Sequence, residues 1–272
     1  MVQYLLEELP KLVANDKLKL QVRYNAMLML GDLNAQEAPK VGVGKATALP
    51  AAFSLLMGAY QNNQLDMALR VAALIGLNRH ASLGIADKAA RDTLRTEMLK
   101  TFTEQQTPSN VSEEAHTWLR IRAVEALGYL GTTGSTPDSA DVLTAMMGVL
   151  NDQDANVLLR AETARAMQMM DFSTPANINT PLIAKSLADL VMEVIASSPD
   201  RKLLKHVLHC ARLGLTGPDP DPLGRTATNS AAVAKVGPPE ARQMAAALAT
   251  EFEALNKKID RSDDLLDITG EE

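Results

Sequence analysis

Between residues 182 and 195, apolar side chains fall at Leu182, Ile183, Leu187, Leu190, Val191, Val194 and Ile195, while Lys185, Asp189 and Glu193 fall between them. This spacing follows a period near 3.6 and predicts an amphipathic helix with one face turned to a core. Similar patterns along the chain predict pairs of helices. The first of each pair, the A-helices, lie near 2–14, 49–61, 87–105, 139–151 and 180–197. The second, the B-helices, lie near 17–33, 65–80, 113–130, 155–171 and 201–215, and a last helix near 239–259 has no B partner. Start signals agree with these positions: Ser112 before Glu113 and Glu114, Pro181 after Thr180, and Asp200 after Pro199. No convincing run alternates apolar and polar residues, as a half-buried strand would. Hydrophobic residues are 46% of the chain but aromatics only 3%, so the apolar mass is Ala, Leu, Met and Val. Ala, Leu and Met lose little rotamer freedom in a helix. The fold class is read as all-α.

The pairs repeat. Val22-Arg23 with Leu30, Leu69-Arg70 with Leu77, Leu119-Arg120 with Leu127, and Leu159-Arg160 with Met167 each place an apolar residue, then Arg, then Leu or Met seven positions on. A degenerate fifth copy follows at Arg201 with Leu208. The succession Arg23, Arg70, Arg120, Arg160, Arg201 keeps close to the period of about 40–47 residues found in two-helix HEAT or armadillo units.

Leu9-Pro10, Leu12-Val13, Asn15-Asp16, Val22-Arg23, Ala26 and Leu30-Gly31 together resemble one whole HEAT repeat. Leu150-Asn151-Asp152, Leu159-Arg160, Ala164 and Met167 echo it, as do Leu119-Arg120, Ala123, Ala126-Leu127-Gly128 and Leu130-Gly131. The resemblance covers most of residues 2–215. It departs in a longer stretch from Asp to Arg (Asp16 to Arg23, Asp152 to Arg160) and in a fifth copy without Val-Arg. It implies a right-handed α-α superhelix of about five hairpins, capped by the last helix, with the B-helices lining a concave side. It also implies that the repeat arginine pairs with a turn aspartate, Arg23 with Asp16 and Arg160 with Asp152 or Asp154. The family spans many functions, so it transfers no catalytic residues.

Residues 1–259 are thus expected to form a single solenoid with loop excursions at 32–48 and 216–239, the second rich in Pro and Gly. Residues 260–272 carry six acids against Arg261 and read as a solvated, disordered tail. Net charge is −6 and pI about 5.3, which argues against bulk nucleic-acid binding. Cys210 is the single cysteine, so no intrachain disulfide and no cysteine-based zinc site is expected. Nothing reaches the length of a membrane span. The opening stretch Met1–Asp16, with Glu7, Glu8 and Lys11, lacks the apolar core of a signal peptide. The cytoplasm is the default compartment, and a trimmed N-terminus would leave secretion open.

Several motifs invite chemistry. Gly42-Val43-Gly44-Lys45-Ala46-Thr47 suggests a phosphate loop, but Pro39 and Ala46 stand where such a loop needs Gly and Ser or Thr, so a flexible loop is expected. His206, His209 and Cys210 share a helix face at zinc-ligand spacing, yet no acid lies at the right spacing on that helix. A half-buried cysteine with surface histidines, and no metal or cofactor, is the expectation. Trp118 with His116, Arg120 and Arg122 is the densest polar–aromatic cluster, either a recognition hot spot or a tryptophan packed between repeats. Leu265-Leu266 among acids resembles a dileucine docking peptide.

B-helices carry 13 Lys or Arg against seven acids, whereas A-helices and the last helix carry nine against 12. Counting the turn acids Asp16, Asp154 and Asp200 narrows the B-helix excess without removing it. The expected function is a non-catalytic interaction scaffold whose mildly basic B-helix face takes an acidic peptide or protein surface. The candidate partner-binding residues are His116, Trp118, Arg120, Arg122, Arg165, Lys205 and His209, and the acidic tail is a candidate competitor in cis. Two other classes compete: a protein gripping nucleic-acid backbone, and a HEAT-like lyase or glycosylase using Trp118 with Glu125.

Overall fold

A computed structural model describes residues 2–40, 44–109, 111–136, 139–173, 178–197, 200–219 and 232–261. Among them are eleven α-helices and a two-stranded ribbon, so the protein is all-α in class. Contacts divide the described residues into two compact units, one running to Thr101 and the other starting at Phe102.

The first unit holds α1 (Val2–Ala14), α2 (Leu20–Asp32), α3 (Pro50–Gln61), α4 (Met67–Leu83) and most of α5 (Lys88–Thr103). Pro50 opens α3, and the Asp66 carboxylate accepts from the Ala68 N–H at 2.8 Å to start α4. α1 packs on α2, α3 on α4, and α2 on α4. Leu9 and Val13 of α1, Ala26, Met27 and Leu30 of α2, and Leu69, Ala73 and Leu77 of α4 are buried. Gly31 and Gly76 let the α2 and α4 backbones touch: a Cβ at Gly31 would sit 2.7 Å from the Gly76 Cα.

The expected loop at 32–48 is in part a ribbon. β1 (Asn34–Gln36) pairs antiparallel with β2 (Thr47–Ala48), and Arg79 donates to the Gly31 carbonyl and Asn34 Oδ1 at its base. Strands of three and two residues are too short to show alternation in sequence. Gly42 and Val43 lie outside the described residues. Lys45 donates to the Ser82 carbonyl at 3.3 Å.

The second unit holds α6 (Glu113–Leu130), α7 (Asp141–Asn151), α8 (Val157–Ala166) with a 3-10 turn (Met167–Met169), α9 (Thr180–Ser197), α10 (Arg201–Thr216) and α11 (Pro239–Arg261). Ser112, Asn156 and Asp200 cap α6, α8 and α10. At α9, Asn179 accepts from the Leu182 N–H at 3.0 Å, so the cap falls one residue before the expected Thr180. α8 packs between α6 and α10, and α11 covers α9 and α10 with Ala241, Ala245, Ala249 and Phe252. Small residues again permit close crossings. A Cβ at Gly128 would lie 2.6 Å from the Ala166 carbonyl oxygen, and one at Gly214 2.5 Å from that of Ala164.

The repeat arginines do one job four times. Arg23, Arg70, Arg120 and Arg160 donate from Nε to the carbonyls of Val13, Tyr60, Phe102 and Leu150 at 2.8, 2.9, 2.9 and 3.0 Å. In every case the acceptor is the last residue but one of the preceding A-helix. Carbonyls at a helix C-terminus lack intrahelical partners and carry the negative end of the dipole, so a cation there satisfies both. This corrects the expected pairing with turn aspartates: the charge caps a helix end. Arg201 differs, donating to the Ile259 carbonyl near the end of α11.

Candidate functional site

Two clusters in the second unit hold most of the sequence candidates. The first is a polar groove of about 720 Å³. One wall is the first half of α6, where Glu113, His116, Thr117 and Arg120 recur at helical spacing. The other is the end of α7 with the turn Asp152–Asn156, and Gly148 leaves room between them. The floor comes from the segment after α5, with Thr103, Gln105 and Thr107. α6 starts early relative to its arginine: Arg120 is its eighth residue, whereas Arg23, Arg70 and Arg160 are each the fourth of their helices. The extra turn and the longer connection before it form the groove.

Within it, His116 is buried; its Nδ1 lies 3.2 Å from Thr107 Oγ1, and its Nε2 has no partner among the described residues. Burial and the neighbouring Arg120 hold its pKa below the ordinary value despite Glu104, which keeps it neutral at neutral pH. Arg120 makes its Nε cap, but among the described residues its two terminal nitrogens form no hydrogen bond or ion pair. Burial lowers its pKa, opposed by Asp152 and Glu104 nearby. The groove therefore offers a half-buried cation with two open donor nitrogens, bordered by the acids Glu113, Asp152 and Asp154.

The second cluster is a chain of charges across α6, α8 and α10. The Arg122 guanidinium lies 5.1 Å from the Trp118 ring centroid and pairs with Glu125 at 2.7 Å. Glu125 also meets Arg165 at 3.5 Å and accepts from the Tyr129 hydroxyl. Arg165 pairs with Glu162, whose Oε1 lies 3.0 Å from His206 Nε2, and that nitrogen lies 3.5 Å from Cys210 Sγ. Burial pushes the Glu162 carboxyl up, but His206 and Arg165 outweigh it and hold it below the usual range. Burial pushes the Cys210 thiol up to about 12, with the Glu162 charge adding to the effect.

The seven sequence candidates thus do not share one surface. His116 and Arg120 line the groove. Trp118, Arg122 and Arg165 join the charge chain, where both cations are paired with acids. Lys205 pairs with Asp260, the first residue of the expected tail, and His209 is exposed on α10, its pKa lowered by partial burial and by Arg212. Leu265 and Leu266 lie outside the described residues. Glu125, the acid named with Trp118 for an enzyme, is held by two arginines.

Glu162 at the His206–Cys210 pair was not foreseen from sequence, because it arrives from α8 rather than from α10. Cys210, expected to be half-buried, is fully buried. A signal existed. Aligned on the repeat arginine, Arg122 and Glu162 share the position two after it, and Glu125, Arg165 and His206 the position five after it. Alternating charges at one register on stacked helices meet as pairs. A scan of protein-family models finds none that matches this chain, and a search of curated proteins finds no relative.

Proposed function

We propose that the hairpins belong to one right-handed HEAT-like solenoid and that the chain is a non-catalytic scaffold binding an acidic segment of a partner protein. The four equivalent arginine caps support the repeat reading. The observation that carries the binding reading is Arg120, with its terminal nitrogens open in a polar groove while its counterpart Arg160 is fully engaged. A carboxylate takes such a fork with two parallel hydrogen bonds. His116 Nε2, in the tautomer whose Nδ1 donates to Thr107, accepts one hydrogen bond from the same segment. Asp152 and Asp154 on the rim favour donors or a base beside the acid, so the preferred segment has one acid flanked by polar or basic residues rather than a run of acids.

Selection of a randomised peptide display library on the full chain tests this. Asp or Glu is expected to be enriched at one position, and the selected peptide is expected to bind Arg120→Gln at least tenfold more weakly at low salt. Enrichment with no preference for an acid, or equal binding to the variant, overturns the proposal.

A further inference from the structure

We propose that Glu162 of α8 with His206 and Cys210 of α10 forms a binding site for one zinc-type divalent cation, with a fourth coordination position open to water. The three ligand atoms, a carboxylate oxygen, Nε2 and Sγ, all lie within 4.8 Å of one another. Zinc bonds of about 2.0–2.3 Å at tetrahedral angles place an imidazole nitrogen and a thiolate sulfur about 3.6 Å apart, and a nitrogen and an oxygen about 3.3 Å apart. The corresponding separations here are 3.5 and 3.0 Å. A catalytic relay of Cys, His and acid is a different arrangement, because it uses both ring nitrogens; here acid and sulfur converge on the same one.

The surroundings suit a metal ligand set. Arg165 holds the other oxygen of Glu162, fixing the carboxylate so that Oε1 faces His206, as outer-shell partners of metal ligands do. Arg165 is in turn held by Glu125. His206 and Cys210 are one turn apart on a well-formed helix, so their spacing is set before any ion arrives. His206 is partly exposed, which gives an entry path and a solvent-facing fourth position, while Cys210 is buried. Zinc with one thiolate, one carboxylate and a neutral imidazole carries no net charge, which limits repulsion from Arg165. The ion displaces the thiol proton to solvent: Zn²⁺ plus the Cys210 thiol gives the zinc thiolate and one H⁺. Facing the thiol are Glu162 and Arg165 of α8 and His206 of its own helix.

Cobalt(II) titration of the metal-stripped full chain, followed by zinc competition against a chromophoric chelator, tests the proposal. One equivalent of cobalt is expected to give a near-ultraviolet thiolate charge-transfer band and tetrahedral visible bands. Glu162→Gln, His206→Gln and Cys210→Ser are each expected to weaken zinc at least tenfold, and His209→Gln, on the same helix outside the cluster, to leave it unchanged. The Glu162 side chain keeps some contact with solvent, so its isosteric variant is expected to fold even where a Cys210 variant does not. Absence of the thiolate band, unchanged affinity in Glu162→Gln, or loss in His209→Gln would each overturn the site.

Discussion

Arg160 in α8 and Arg120 in α6 both donate from Nε to the last carbonyl but one of the preceding helix, at 3.0 and 2.9 Å. Beyond that bond they part. Arg160 is buried, and both its terminal nitrogens reach the Glu193 carboxylate of α9, at 2.6 and 2.8 Å. Arg120 has no such partner among the described residues and opens onto the groove. The cause lies in the connection. Arg160 lies 10 positions beyond its acceptor Leu150, but Arg120 lies 18 beyond Phe102, because the segment after α5 is longer and α6 begins a turn earlier. One repeat position, given a longer lead-in, changes from a sealed structural clamp into a half-buried clamp with its outer nitrogens open. On the proposed reading, the position gains a binding role without a new residue type.

The contrast can be broken from the structural side first. Arg160→Met removes the cap and leaves Glu193 without its partner, for an expected loss of about 3 kcal/mol in urea unfolding. A loss under about 1 kcal/mol would mean that the clamp contributes little. Glu193→Gln keeps the cap and removes only the charge pair; Glu193 is about a third exposed, so the expected loss is nearer to about 1 kcal/mol. Arg120→Gln removes one helix-end hydrogen bond, and its expected cost of about 1 kcal/mol is separate from its large effect on peptide binding. A cost equal to that of Arg160→Met would erase the distinction. The smallest effect is a sharpening one. Asp152→Asn removes an acid that competes for Arg120, so an acidic peptide is expected to bind severalfold more tightly, by titration calorimetry at low salt. Weaker binding would place the contact elsewhere.

The helical frame was legible because its determinants are local. The apolar period placed the eleven described helices within a few residues, and Ser112 and Asp200 fixed two starts by their own capping bonds. The Leu-Gly pairs at Leu30-Gly31 and Leu127-Gly128 had a physical meaning that periodicity does not show, namely a backbone crossing too close for a Cβ. What the sequence hid was partner identity. The repeat arginine was recognisable, but its acceptor is a backbone carbonyl, and carbonyls look alike in every residue. Charge counting made the B-helices basic, but it did not show which cations are engaged: Arg122 and Arg165, both candidates for binding, face Glu125 and Glu162 on the same helices. Glu162 escaped notice at the Cys210 cluster for the same reason: the relevant neighbour is on the adjacent stacked helix, a whole repeat away in sequence. The groove depends on the irregular segment after α5, where no period applies.

Side-chain NMR of ¹⁵N-arginine-labelled protein tests the central claim most directly, by resolving rotation about the Cζ–Nη bonds. Protected Hε protons are expected at Arg23, Arg70, Arg120 and Arg160 alike, with slow Nη rotation at Arg160 and fast rotation at Arg120 that slows when the selected acidic peptide is added. Equal rotation at Arg120 and Arg160 in the free protein, or an unprotected Hε at either, would contradict it.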